Sequence, residues 1–262
     1  MKRFAPACLI CIILTACNMP QPITEAATEI PAPTESPMPD TPVPAEDTAP
    51  ALPLVDQMLA ECPTAEQIAA IDADLSISFE SDPTASQGLA CTAAEDSKDV
   101  THFQRRIYNI LRVMQELKFD QPLPWTDKQL FDWFTGAIDG IRFRNDIDYS
   151  ACCDPAGIIN IQTNNLVATS MDRWIEPAAD NGLVHIMILF VHEARHNEGY
   201  GHTCADGNDS TLDEMGAWGV EYYTEIWLAD HVAGDLFANS SFDYAESMRS
   251  EAQRILETRF CQ

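Results

Sequence analysis

From residue 54 onward, apolar positions recur at two periods, near 3.6 and near 2 residues, which mark helices and half-buried strands respectively. A short helix is predicted after Thr64, over Ala65 to Ile71, and the alternation Leu75-Ser76-Ile77-Ser78-Phe79 predicts a strand. Phe103, Ile107, Ile110, Leu111, Met114 and Leu117 fall on one helical face, for a helix opening at Asp99 or Thr101. Thr126 and Gln129 have the spacing of a capping box, so a second helix carrying Leu130, Phe131, Phe134 and Ile138 is expected there. Strands are predicted over Gly140 to Arg144 and Gly157 to Thr163, the latter alternating Ile159-Asn160-Ile161-Gln162. Leu183 to Val191 is apolar on nearly every side, as suits a helix running through the middle of a domain. Two further helices are expected, from Asp213 to Leu236 and from Phe242 to Phe260. Strands grouped ahead of a helical C-terminal part predict an α+β fold for residues 54–262, a length that suits one large domain or two subdomains around a cleft.

The N-terminal part has neither period. Met1-Lys2-Arg3, an apolar stretch from Phe4 to Leu14 and small residues before a cut have the form of an export signal over residues 1–16, too short to span a bilayer. Its end, Leu14-Thr15-Ala16-Cys17, resembles the lipobox of bacterial lipoproteins, which implies a lipidated Cys17 and a place in the cell envelope, on the extracytoplasmic side of a membrane. Residues 17–53 hold ten of the seventeen prolines among Thr, Ala and Glu, a composition that predicts a disordered tether.

The formal charge is −26, and loss of Lys2 and Arg3 with the signal makes it −28. Without a single Lys or Arg between Phe4 and Ser97, the chain has no basic stripe, which argues against nucleic acid as a partner. Cys62, Cys91, Cys152, Cys153, Cys204 and Cys261 remain in the domain; an even count in an exported chain predicts disulfides, with the pairing left open among fifteen possibilities.

The apolar helix runs into His192-Glu193-Ala194-Arg195-His196-Asn197-Glu198-Gly199-Tyr200-Gly201-His202. Histidines four apart share a helix face, so His192 and His196 can reach one ion, with Glu193 beside them as a general base. Gly199 can take positive φ, end the helix and return His202 as a third ligand. By chance a bare His-Glu-x-x-His arises in roughly one such chain in a hundred and the full eleven-residue form in about one in 10⁵, so the long form carries the argument.

This motif resembles that of the zincin metallopeptidases, in its elongated metzincin form. The resemblance implies Zn²⁺ held by His192, His196 and His202, Glu193 as base, peptide or protein substrates, and a zincin-like fold. It also implies an edge strand that pairs with extended peptide, for which Gly157 to Thr163 is the candidate, and a methionine turn beneath the metal. Neither Met215, in a stretch that reads as a helix start, nor Met248 has that turn's sequence. A second zincin branch draws its third ligand from a downstream helix, and Glu221, on a face with Glu214 and Glu225, is the alternative to His202 on that scheme.

Among other residues, Tyr200, Tyr222, Tyr223 and His231 are candidates to stabilise an oxyanion. His185, about 10 Å up the helix axis from His192, reads as a core or cleft residue that cannot share the ion. Arg195 is expected to pair with an acid, and Cys204 to form a disulfide that pins the ligand loop rather than to close the metal site. The function this predicts is zinc-dependent hydrolysis of peptide bonds; the alternatives are a noncatalytic metal-binding lipoprotein and a surface-tethered interaction module.

Overall fold

In the computed structural model the described residues are 53–91, 100–164, 166, 173–175, 182–238 and 243–261. The export signal, Cys17 and the tether as far as residue 52 lie outside them. Within them, seven α-helices surround a three-stranded parallel sheet, a mixed architecture compatible with α+β. None of these helices is long and apolar enough to cross a membrane.

The sheet has the order β1 (Ser76–Ser78), β2 (Gly140–Arg144), β3 (Ile158–Gln162). Its register aligns Ile77 with Ile141 and Ile159, and Phe143 with Ile161, so the period of two puts one row of apolar side chains on a single face. That row packs on α5 (Leu183–Asn197), and its Phe143 meets Phe103, the first residue of α3 (Phe103–Glu116). Aromatic rings join the layers. Phe143 stacks on Phe79 at 5.0 Å, meets Phe103 edge-on at 5.3 Å and reaches Phe190 of α5 at 6.1 Å. Leu183, Val184, Ile186, Met187, Phe190 and Val191 are all buried, as the unbroken apolar run predicts.

Differences from the sequence expectations are local, and each has a physical cause. The helix after Thr64 (α2, Ala65–Asp74) runs one turn further than predicted and starts in a capping box of Thr64 with Gln67. The box expected at Thr126 and Gln129 does not form. Helix α4 (Leu130–Ala137) has no side-chain cap, because the Gln129 amide is used instead on the backbone of Phe119, accepting from its N–H and donating to its carbonyl. A helix not foreseen, α1 (Leu54–Ala60), lies across the polar side of α3. There Asn109 donates to the carbonyls of Leu59 and Glu61, and Arg112 pairs with the Glu61 carboxylate at 3.1 Å.

The helix expected from Asp213 starts only at Ala217 and ends at Asp230 (α6). Leu212–Glu214 forms a separate 3-10 turn, and Met215, at φ +49°, breaks the path before Gly216. The last helix, α7 (Tyr244–Thr258), is capped by Asp243, whose carboxylate accepts from the Glu246 N–H. Helix α6 packs between α5 and α7, which brings the C-terminal part against the histidine motif.

Candidate metal centre

Helix α5 delivers His192 and His196 from successive turns, with ring centroids 4.9 Å apart. Its last turn closes where the Gly199 N–H donates to the His196 carbonyl, and Gly199 takes φ +95°, a backbone value that side-chain-bearing residues rarely adopt. The chain then doubles back and sets the His202 ring 4.7 Å from His196 and 5.4 Å from His192. One ligand-capable atom from each of the three lies within 4.8 Å of the others, so this group could hold a metal ion.

The second ring nitrogens decide how it would do so. His192 Nδ1 lies 2.9 Å from Glu221 Oε2, His196 Nδ1 2.6 Å from the Tyr200 carbonyl oxygen, and His202 Nδ1 2.9 Å from Asp209 Oδ1. Each partner can only accept, so each neutral ring carries its proton on Nδ1 and keeps the Nε2 lone pair for an ion. Burial also holds the His196 pKa down to about 4, against the opposing pull of the Tyr200 carbonyl, which keeps that imidazole neutral. Three neutral nitrogens with no thiolate among them suit zinc or another borderline divalent cation.

Asp209 ties the His202 loop together. It has no solvent exposure; one oxygen accepts from His202, and the other takes the Trp218 backbone N–H at 3.0 Å in the first turn of α6, where a carboxylate also suits the helix dipole. Gly216 is what lets it approach, because a Cβ there would stand 2.5 Å from Asp209 Oδ2. The Trp218 indole stacks on His202 at 5.7 Å and meets the edge of His192 at 4.4 Å. Cys204 lies at disulfide distance from Cys261, with Cα atoms 6.5 Å apart, which pins the ligand loop to the C-terminal tail as expected. The other pairs are Cys62 with Cys91 and Cys152 with Cys153.

Glu193, buried beside His192, receives the Cys152 backbone N–H, while its Oε2 has no hydrogen-bond partner. Burial raises its pKa above the usual carboxylate range; His192 and the Cys152 N–H oppose that shift, and Glu221 adds to it. Two lobes of a cleft meet at His192 and Glu193. One, of about 620 Å³, is walled by Tyr149 to Cys153 and the three histidines. The other, of about 420 Å³, runs along Ile188, Leu189 and Trp218 toward Arg254 and Arg259.

Glu221, the expected edge strand and the oxyanion candidates land elsewhere, while His185 and Arg195 take the places expected of them. Glu221 is not in the histidine group; it stands behind His192 as a hydrogen-bond partner. The strand expected as an open edge, Gly157 to Thr163, is the outer strand, but its outward groups are already used. Asn160 exchanges two backbone bonds with Ala151, Ile158 is bonded to Asp154, and the Gln162 N–H donates to Ser150 Oγ. Residues 149–153 therefore form the rim of the cleft in place of β3. His185 lines the smaller lobe. Arg195 pairs with Glu198 at 2.6 Å, donates to the Met215 carbonyl and covers the Tyr200 ring. Of the oxyanion candidates, His231 bonds Asp120, Tyr222 and Tyr223 pack on each other, and none of these or Tyr200 lines either lobe. Met248 is buried in α7.

Sequence reasoning missed Asp209, Trp218 and Tyr149. Asp209 is one acid among forty-one Asp and Glu, and only the fold separates it from the rest. The chain matches no protein-family model, no curated protein and no solved structure.

Proposed function

We propose that this chain is a zinc-dependent peptidase of zincin type whose site is His192, His196, His202 and Glu193. The observation that carries the reading is the capping of all three Nδ1 atoms by acceptors beside a buried carboxylate oxygen with no partner. A structural cluster of histidines has no need of an orphan carboxylate, which costs free energy to bury unless something uses it.

His192, His196 and His202 would hold the zinc, which when bound would supply Lewis-acid chemistry toward a carbonyl or water. The proton work belongs to Glu193. Glu193 lines the cleft with its carboxylate steadied by the Cys152 N–H, and there it would take a proton from the attacking water and return it to the leaving amine. A carboxylate whose pKa is raised is the better base for this transfer. The rim at Tyr149 to Cys153 walls the lobe beside the histidines, where a peptide can lie.

Glu193→Gln tests this. The variant is expected to keep one equivalent of zinc and to lose nearly all cleavage of a peptide library. Near-native cleavage would remove Glu193 from the mechanism. A wild-type chain that holds zinc and cleaves no peptide would leave a noncatalytic metal-binding protein.

A further inference from the structure

The smaller lobe holds a cation that no carboxylate among the described residues bonds, since the two hydrogen bonds of Glu251, which with help from the Arg259 charge lower its pKa, go to Arg254. Glu221 is spent on His192. Asp148, the other acid on this wall apart from Glu193, is solvent-exposed. That leaves Arg259. Its guanidinium lies over the Trp218 ring at 4.3 Å; no carboxylate among the described residues pairs with it, and its buried Nε has no hydrogen-bond partner. A chain of formal charge −26 has acids to spare for every arginine, so one left unpaired beside the candidate site is informative.

Its position is built rather than incidental. The Arg259 carbonyl accepts from the Asp209 N–H, the Cys261 N–H donates to the Asp209 carbonyl, and the Cys204–Cys261 pair closes the loop. The Trp218 ring on which Arg259 rests is the one that packs against His192 and His202. The guanidinium is thus one aromatic ring away from the histidines. One extended residue covers about 3.3 to 3.6 Å, so this is the reach of a substrate group within a residue or two of the bond at the histidines.

We infer that this lobe is a carboxylate-recognition site in which Arg259 selects peptides bearing an acidic group beside the scissile bond. The inference rests on the peptidase reading and adds its substrate class. A planar guanidinium stacked on an indole keeps its outer N–H groups in one plane, the geometry that takes a carboxylate through two parallel hydrogen bonds. The chain's overall negative field repels acidic peptides at long range, so selection for them requires a local cation. The carboxylate can come from an Asp or Glu side chain or from a free C-terminus.

The experiment uses the full chain carrying Glu193→Gln, loaded with zinc, and titrates three acetylated tetrapeptides by calorimetry. One has Asp at its third position and a C-terminal amide, one has Asn there and an amide, and one is all-alanine with a free C-terminal carboxylate. At least one acidic peptide is expected to bind tenfold or more tighter than the Asn peptide, and which one identifies the source. Adding Arg259→Gln should erase that difference and leave the Asn peptide within twofold; Arg259→Lys should retain part of it. Equal binding of all three by the parent chain, no binding at all, or an equal loss for all three on Arg259→Gln would overturn the inference. The last of these would make Arg259 only a prop for Trp218. A wild-type chain that cleaves peptides with no acidic preference refutes the inference alone, whereas acid-selective binding by a chain that cleaves nothing refutes the peptidase reading alone.

Discussion

Helix α5 changes character at Val191. Before it, Leu183 to Val191 is held by packing against the sheet and α3; after it, His192, Glu193 and Asn197 are held by hydrogen bonds to groups far away in sequence. The apolar half draws on a non-directional force that many sequences could supply. Its polar half needs particular partners at particular places: the Glu221 carboxylate from α6 for His192, the Cys152 N–H from the cleft rim for Glu193 and the Ala137 carbonyl for Asn197. The first half fixes where the helix lies, and the second fixes how its side chains are turned.

The two halves should therefore fail differently. Phe190→Ala removes a fully buried ring that contacts Phe134 at 6.2 Å and Phe143 at 6.1 Å, and is expected to cost about 3–5 kcal/mol of unfolding free energy. Zinc affinity of the molecules that remain folded should stay native. Denaturant titration and metal binding below the transition measure the two effects separately; a large loss of zinc affinity in the folded fraction would break the division.

Glu221→Ala and Asp209→Ala should do the reverse, lowering zinc affinity about 10- to 100-fold each by releasing the His192 and His202 rings from their orientation. Competition with a chelator of known affinity reads this. Native affinity in both variants would mean that the Nδ1 partners do not orient the ligands. Complete loss of zinc in Glu221→Ala, with His202→Ala still loaded, would instead make Glu221 the third ligand.

Much of the packed half is legible in the sequence, because periodicity reports burial. The run Leu183 to Val191, the face from Phe103 to Leu117 and the alternation over residues 158–162 all reappear as core. The capping box at Thr126 and the long helix from Asp213 are not, because tertiary partners override local signals there: the Phe119 backbone takes the Gln129 amide, and Met215 turns left-handed ahead of α6. Within the site, spacing alone brings His192, His196 and His202 together, since helix pitch and one glycine suffice. Asp209, Trp218 and the rim at Tyr149 to Cys153 reach the site through pairings between distant segments, for which one sequence carries no signal.

A smaller effect sharpens the same contrast between used and unused polar groups. Asp209 and Glu225 both lack solvent exposure, but neither oxygen of Glu225 has a partner, and burial raises its pKa well above the usual value, with Glu221 and Glu251 adding to the shift and Arg254 opposing it. A raised folded-state pKa means that the native chain holds a proton the unfolded chain releases, so this group lowers stability as pH rises from the ordinary Glu range toward its folded pKa. Glu225→Gln removes that penalty. The variant should match wild type in acid and become more stable than it as pH increases, in thermal melts taken across the range. A variant destabilised equally at every pH would show that the Glu225 carboxyl has a structural role as an acid.

The central claim, one zinc ion on three imidazoles, is tested most directly by X-ray absorption at the zinc edge of the loaded chain. Three nitrogen scatterers at about 2.0–2.1 Å with imidazole multiple-scattering features, and no sulfur, are the expected result. A sulfur shell near 2.3 Å would place the ion on the cysteines, and a spectrum with fewer than three imidazoles would remove the histidine triad as the metal site.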